Sequence, residues 1–170
     1  MGAYNEQKAS LLREAEKLHR RLELSKTVGP DWYEPGMMEY LDQSDGIWDE
    51  RAGRLLLRFE SRGTRYDGRT ELIERLSVGT PIIVRRDPEN PYNPNNFVLE
   101  TKNGEDAGNM PAELCNAIAP LFDAGHLSFE RATVSYAEPI SMRSRYAQQG
   151  VLFVELLCAI RDEENKKPDS

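Results

Sequence analysis

Arg85-Arg86-Asp87-Pro88-Glu89-Asn90-Pro91-Tyr92-Asn93-Pro94-Asn95-Asn96 separates two apolar runs, Pro81-Ile82-Ile83-Val84 and Phe97-Val98-Leu99. Proline fixes φ and removes a backbone donor, so this stretch can be neither a helix interior nor a central strand. Each residue before a proline is also pushed toward an extended conformation. The segment therefore reads as a stiff polar loop between two strands, carrying one aromatic, several amides and two arginines. Binding residues collect on loops positioned by a rigid scaffold. A rigid hairpin connection with polar filler accounts for the residues alone equally well.

The rest of the chain places that loop within a mixed α+β domain. Leu55-Leu56-Leu57-Arg58-Phe59 reads as a strand ending at Ser61-Arg62-Gly63. A short helix is expected over 69–76, with Thr70 as N-cap and Leu72, Ile73 and Leu76 on one face. Strands are expected over Ile82 to Arg86 and Phe97 to Thr101, followed by a hairpin turn at Lys102-Asn103-Gly104-Glu105. Pro111 opens a second helix that carries Leu114, Ile118, Leu121 and Phe122 and closes at Gly125. Leu127 to Ala137 and Val151 to Ile160 read as strands, joined by a loop from Glu138 to Gly150 rich in Arg, Tyr and Gln. Short strands with two intervening helices indicate a small, mainly β, antiparallel barrel with two flanking helices.

Four segments follow: an N-terminal amphipathic helix over 1–28, an irregular connector packed on the domain over 29–53, the barrel over 54–160, and a disordered charged tail over 161–170. The helix is expected from about Asn5 to Lys26, with Leu11, Ala15, Leu18 and Leu22 in one stripe, and it stops before Val28-Gly29-Pro30. That narrow stripe serves either docking on the domain or pairing with a second copy as a homodimer. The connector, with Trp32, Tyr33, Met37, Met38 and Trp48, is too aromatic for a free linker.

Composition narrows the function classes. The 170 residues are 39% hydrophobic and 30% charged, with a net charge of −7. No stretch approaches the ~18 apolar residues that span a bilayer, and the N-terminus lacks a secretory pattern. A cytoplasmic protein without membrane association is expected. Cys115 and Cys158 read as buried free thiols. With only His19 and His126 besides, there is nothing to build a zinc site, and neither metal nor cofactor is expected. The phosphate-loop, nucleophile-elbow and metalloprotease motifs are all missing, so the chain reads as a non-enzyme.

Binding chemistry is better motivated. Every basic residue between Arg51 and Arg86 is an arginine, whose planar fork suits phosphates and base edges. Arg65 beside Tyr66, and Tyr92 beside Asn90 and Asn93, combine an aromatic platform with adjacent donors, as single-stranded nucleic-acid sites do. Half-buried core tyrosines with satisfied hydroxyls are the competing reading for each.

Arg65-Tyr66-Asp67-Gly68, the loop Arg86 to Asn95, Asn103-Gly104, and Gly108-Asn109-Met110-Pro111-Ala112-Glu113-Leu114 together resemble the HIRAN domain, over about Arg54 to Ile160. That module occurs in front of SWI/SNF-type helicase-like DNA repair proteins and as small bacterial proteins. The resemblance implies a small OB-like or SH3-like β-barrel, and capture of single-stranded DNA at a free 3′ end. It implies that Arg65 and Tyr66 contact a phosphate and a terminal base, that Asn90 and Tyr92 line the same pocket, and that Asn109 is a further contact. Asn93 stands where the family usually has aspartate to accept a bond from the 3′-hydroxyl, which weakens that contact. Arginines in Arg85-Arg86 and in the Glu138 to Gly150 loop are expected to guide the backbone. A separately encoded helicase or nuclease is an expected partner. A protein-interaction adaptor is the alternative from another class.

Overall fold

Alternating burial defines the first long strand of the computed structural model: Leu55, Leu57 and Phe59 point inward between half-buried neighbours, as a half-buried strand requires. The structure describes residues 2–28, 48–49 and 53–161, with side chains for 3–17 and 53–161. In chain order the elements are α1 (Gly2–Val28), β1 (Trp48–Asp49), β2 (Arg54–Glu60), α2 (Arg69–Ile73), β3 (Ile83–Arg86), β4 (Phe97–Glu100) and β5 (Asp106–Asn109). Then come α3 (Ala112–Asp123), β6 (Leu127–Glu138), a 3₁₀ turn (Ile140–Met142) and β7 (Val151–Ile160). Most of the expected connector and the tail beyond Arg161 lie outside the described residues.

The strands form a four-stranded sheet in the order β1-β2-β7-β6 and a three-stranded sheet in the order β3-β4-β5. All pairings are antiparallel. β7 lies inside the larger sheet and is buried along nearly its whole length. Of the small antiparallel barrel expected from the sequence, the ladders show the two antiparallel sheets. Among the described residues, the backbones of the two sheets are linked by isolated bridges, Arg62 to Asn109 at one side and Pro81 to Thr133 at the other. The short strands β3 to β5 run out of ladder before they can pair fully with β2 and β6.

Gly108 makes the first bridge possible. Its φ of 112° is strained for any L side chain, and a Cβ there would overlap Ser61 Oγ and stand 2.9 Å from the Arg62 carbonyl. The close approach lets Arg62 and Asn109 exchange backbone hydrogen bonds of 2.8 and 3.1 Å. The strand Asp106 to Asn109 was not anticipated, because glycine and asparagine depress strand propensity.

The core fills the space between the sheets and α3. Phe97, Phe122 and Phe129 pack as three mutually contacting rings with centroids 5.1 to 5.5 Å apart, in the offset geometries aromatic pairs prefer. Cys115 and Cys158 are buried free thiols. α1 packs against α3. Tyr4, Leu11 and Ala15 are buried, and Tyr4 meets the His126 ring edge-on at 4.6 Å. Docking thus occupies the described part of the helix stripe. Thr70 is not an N-cap. Gly68 holds that position without a side-chain bond, and the Thr70 hydroxyl donates to the Thr64 carbonyl instead.

Candidate nucleic-acid interface

Where β2 runs into the α2 turn and β5 meets it, the proline-rich loop closes a cleft of about 630 Å³. Gly63, Tyr66, Asp67 and Arg69 line it from the turn, and Asp87, Asn90 and Tyr92 from the loop. Val98 and Asn109 come from the adjoining strands. Of the residues expected from sequence, the fold therefore brings together Tyr66, Asn90, Tyr92 and Asn109. Arg65 stands beside the cleft, with its guanidinium 5.9 Å from the centroid of the Tyr66 ring.

The turn is shaped by two consecutive left-handed residues, Asp67 (φ 58°) and Gly68 (φ 77°), conformations that aspartate and glycine tolerate best. Arg69 braces it. Its guanidinium forks onto Asp106 at 3.0 and 2.9 Å and donates to the Gly63 carbonyl at 2.9 Å. These bonds hold Tyr66 60% exposed at the mouth of the cleft.

The loop is framed by its own amides. Asn90 Oδ1 accepts from the backbone N–H groups of Tyr92 and Asn93 at 2.9 and 3.0 Å, an Asx turn. Asn90 Nδ2 donates to Asp87 Oδ2. The Asn96 amide also donates to Asp87 Oδ2, and it donates as well to Asn109 Oδ1. Asn93 does not face the cleft. Its Nδ2 donates to Asn116 Oδ1 on α3, and its Oδ1 accepts from the Asn95 backbone. The asparagines that looked like base readers thus serve mainly to fix the loop, and Tyr92 is left 94% exposed upon it.

Arg85 and Arg86 are not free to guide a backbone. Arg85 forks onto Glu100 at 3.2 and 2.7 Å. Arg86 forks onto Asp123 at 3.0 and 2.9 Å and donates to the carbonyls of Pro94 and Asn96. Both guanidiniums are raised by these hydrogen bonds, and Asp123 is lowered by its own. Arg62 and Arg65, by contrast, are exposed and make no ion pair among the described residues. The cleft wall therefore carries Asp67, Asp87 and an already neutralised Arg69, and the available positive charge lies at its rim. Such a site suits an uncharged planar group inside and phosphates outside.

Sequence reasoning missed Gly63, Asp67, Arg69, Asp87 and Val98. Arg69 and Asp106 are 37 residues apart, and nothing local to either marks the pairing. Asp87 lay within the quoted loop, where its proline neighbour was the only signal. Among the described residues, no cluster of His, Cys, Asp or Glu could hold a metal ion. No described helix is long and apolar enough to cross a membrane.

Two antiparallel sheets joined by single bridges, with exposed tyrosines on a braced loop and turn, define a small α+β module with an aromatic cleft. The chain belongs to the HIRAN domain family, whose model matches residues 55–152, more than half of its length. The crystal structure of the HIRAN domain of human HLTF is similar at 23% identity, covering 66% of this chain and 84% of that one, with a TM-score of 0.45. A crystal structure of a protein from Lactobacillus plantarum is 20% identical over 62% of this chain and 98% of that one, with a TM-score of 0.46. The NMR structure of the human HLTF HIRAN domain in its DNA-bound conformation is 23% identical, covers 65% and 79%, and gives a TM-score of 0.41. No curated protein matches the chain.

Proposed function

We propose that this chain is a non-catalytic module that binds single-stranded DNA, holding a terminal nucleoside in the cleft. The observation that carries this reading is the pair of tyrosines, 60% and 94% exposed, that line one cleft, with Arg65, which makes no ion pair among the described residues, beside the Tyr66 ring. Membership of the HIRAN family supports it, and human HLTF, whose HIRAN domain has a DNA-bound conformation, offers a parallel. Tyr66 and Tyr92 supply stacking faces, Asn109 a polar contact, and Arg65 a phosphate contact. Asn93 is turned toward α3, so the acidic acceptors near a strand end are Asp67 and Asp87. Their charge favours a 3′-hydroxyl over a 3′-phosphate in the cleft.

Fluorescence anisotropy with short labelled oligonucleotides tests the proposal. Stacking is worth about 1–3 kcal/mol per base, so Tyr66→Ala and Tyr92→Ala should each weaken binding roughly 5- to 150-fold. Affinity should fall with added salt, with a shallow slope because few phosphates are contacted. Absence of binding at low salt, or affinities indifferent to both substitutions, would defeat the reading.

A further inference from the structure

The aromatic cleft is rich in unmatched acceptors. Asp67 stands on its turn side and Asp87 on its loop side, and both line the same space as Tyr66 and Tyr92. Asp87 is firmly held. Its Oδ2 accepts from the amides of Asn90 and Asn96, each at 3.1 Å, and its backbone N–H donates to the Asn96 carbonyl at 2.8 Å. Its Oδ1 has no partner among the described residues. Asp67 is placed by its left-handed backbone, φ 58°. Its Oδ2 lies 3.5 Å from the Arg69 guanidinium, and no hydrogen bond among the described residues engages its carboxylate.

The donors nearby are committed elsewhere. Arg69 forks onto Asp106 and donates to the Gly63 carbonyl. Both polar atoms of the Asn90 amide are used within the loop. Asn109 Oδ1 accepts from Asn96, which turns Asn109 Nδ2 toward Gly63, 3.7 Å from where a Cβ on that glycine would stand. The cleft therefore offers an amide donor and two carboxylates, one from each wall. A ligand that matches it brings two hydroxyl donors beside a planar group.

The last sugar of a strand decides how many hydroxyls arrive. A deoxynucleotide at a 3′ end has one free hydroxyl, whereas a ribonucleotide has two on adjacent carbons, and each can donate. An acceptor left unmatched in a partly dry cleft costs free energy. The 2′-hydroxyl is the group by which a protein separates RNA from DNA at a given position. A phosphate in the same place would meet two negative charges.

We infer that the cleft prefers a strand whose 3′-terminal residue is a ribonucleotide, with Asp87 accepting from the 3′-hydroxyl and Asp67 from the 2′-hydroxyl. The inference rests on the proposed capture of a strand end and deepens it by naming the sugar. The Asp67 side chain is 71% exposed, so water competes for its bond and the gain is modest, roughly 5- to 20-fold in affinity.

Anisotropy on the full chain tests this with 5′-labelled oligothymidylates of about 10 nucleotides that differ at the last sugar alone: deoxythymidine, ribothymidine or 2′-O-methylribothymidine. The ribo end should bind roughly 5- to 20-fold more tightly than the deoxy end, and methylation of the 2′-hydroxyl should remove the advantage. Asp67→Gly keeps the left-handed turn and deletes the acceptor. It should abolish the ribo advantage without weakening the deoxy strand, whereas an equal loss on both strands would assign Asp67 to the turn and overturn the sugar contact. An all-RNA strand should match the DNA strand with one ribonucleotide end, and a further gain would overturn the assignment to the terminal sugar. Free ribothymidine competing as strongly as the strand would overturn the assignment to a strand end. Equal wild-type affinity for ribo and deoxy ends, with Tyr66→Ala impaired on both, would overturn the sugar preference and leave the cleft intact. A wild type that binds none of the strands would overturn both readings.

Discussion

Replacing Arg86 with alanine should both destabilise the fold and release the binding loop. Its guanidinium joins three elements: the end of β3, the proline-rich loop through the Pro94 and Asn96 carbonyls at 2.6 and 3.3 Å, and α3 through Asp123. It also lies 5.4 Å from the centroid of the Phe97 ring, at the edge of the aromatic core. The Arg86 side chain is only 17% exposed, whereas Asp123 is 52% exposed. The ion pair itself is therefore worth about 0–1 kcal/mol. Larger contributions come from the charged donor serving two loop carbonyls, ~1.5–3 kcal/mol for a well-made bond, and from ring contact of ~0.5–1 kcal/mol.

These effects share one side chain and do not add fully, so a loss of about 2–4 kcal/mol is expected. At about 3 °C per kcal/mol for a chain of this size, the melting temperature should drop by roughly 6–12 °C. Calorimetry measures the drop, and anisotropy below the transition measures the loosened loop as weaker oligonucleotide binding. Arg86→Lys keeps the charge but not the fork, and should recover less than half of the loss. A melting temperature within about 1 °C of the wild type, with unchanged affinity, would refute the assignment of Arg86 as the clamp of the loop.

Two further substitutions examine the frame around the site. Burial raises the Glu60 carboxyl above its ordinary value of 4.5, against the lowering pull of Arg62 and Arg143. The folded state then holds that proton more tightly than the unfolded state, so the contribution is full below the ordinary value and is lost as pH rises through the folded value. Glu60→Gln should accordingly gain stability relative to the wild type as pH rises above the ordinary value of 4.5, read from urea midpoints. Parallel pH curves would count against the assignment. Gly108→Ala forces a side chain into a left-handed site against Ser61 Oγ and the Arg62 carbonyl. A loss of roughly 2–4 kcal/mol is expected in chemical denaturation, and a neutral result would mean that the sheets do not depend on the Arg62–Asn109 bridge.

The order of elements was legible because its signals are local. Residues Val151–Ile160 form a strand as their mostly apolar run suggests, and Ala112–Asp123 form a helix behind Pro111. Proline dihedrals, apolar period and glycine breaks act within a few residues, so propensity alone reads them. Asp106–Asn109 escaped notice for the same reason, since what makes it a strand is its pairing with β4 rather than its own residues.

Side-chain roles depended on partners brought from afar. By itself the sequence determined that a stiff loop bearing Tyr92 would lie between two strands, and that a strand would end at Ser61-Arg62-Gly63 ahead of a short helix. Only the tertiary structure decided that Asn90 and Asn93 frame that loop, that Arg85 and Arg86 are spent on carboxylates, and that Arg69 braces the turn through Asp106. The clamp from Arg86 to Asp123 crosses 37 residues of chain. Which carboxylate meets which guanidinium follows from sheet register and helix placement, which a one-residue slip would scramble. The physical reason is one of range: torsional preference is written residue by residue, whereas charge and hydrogen bonding act through whatever neighbours the packed chain supplies.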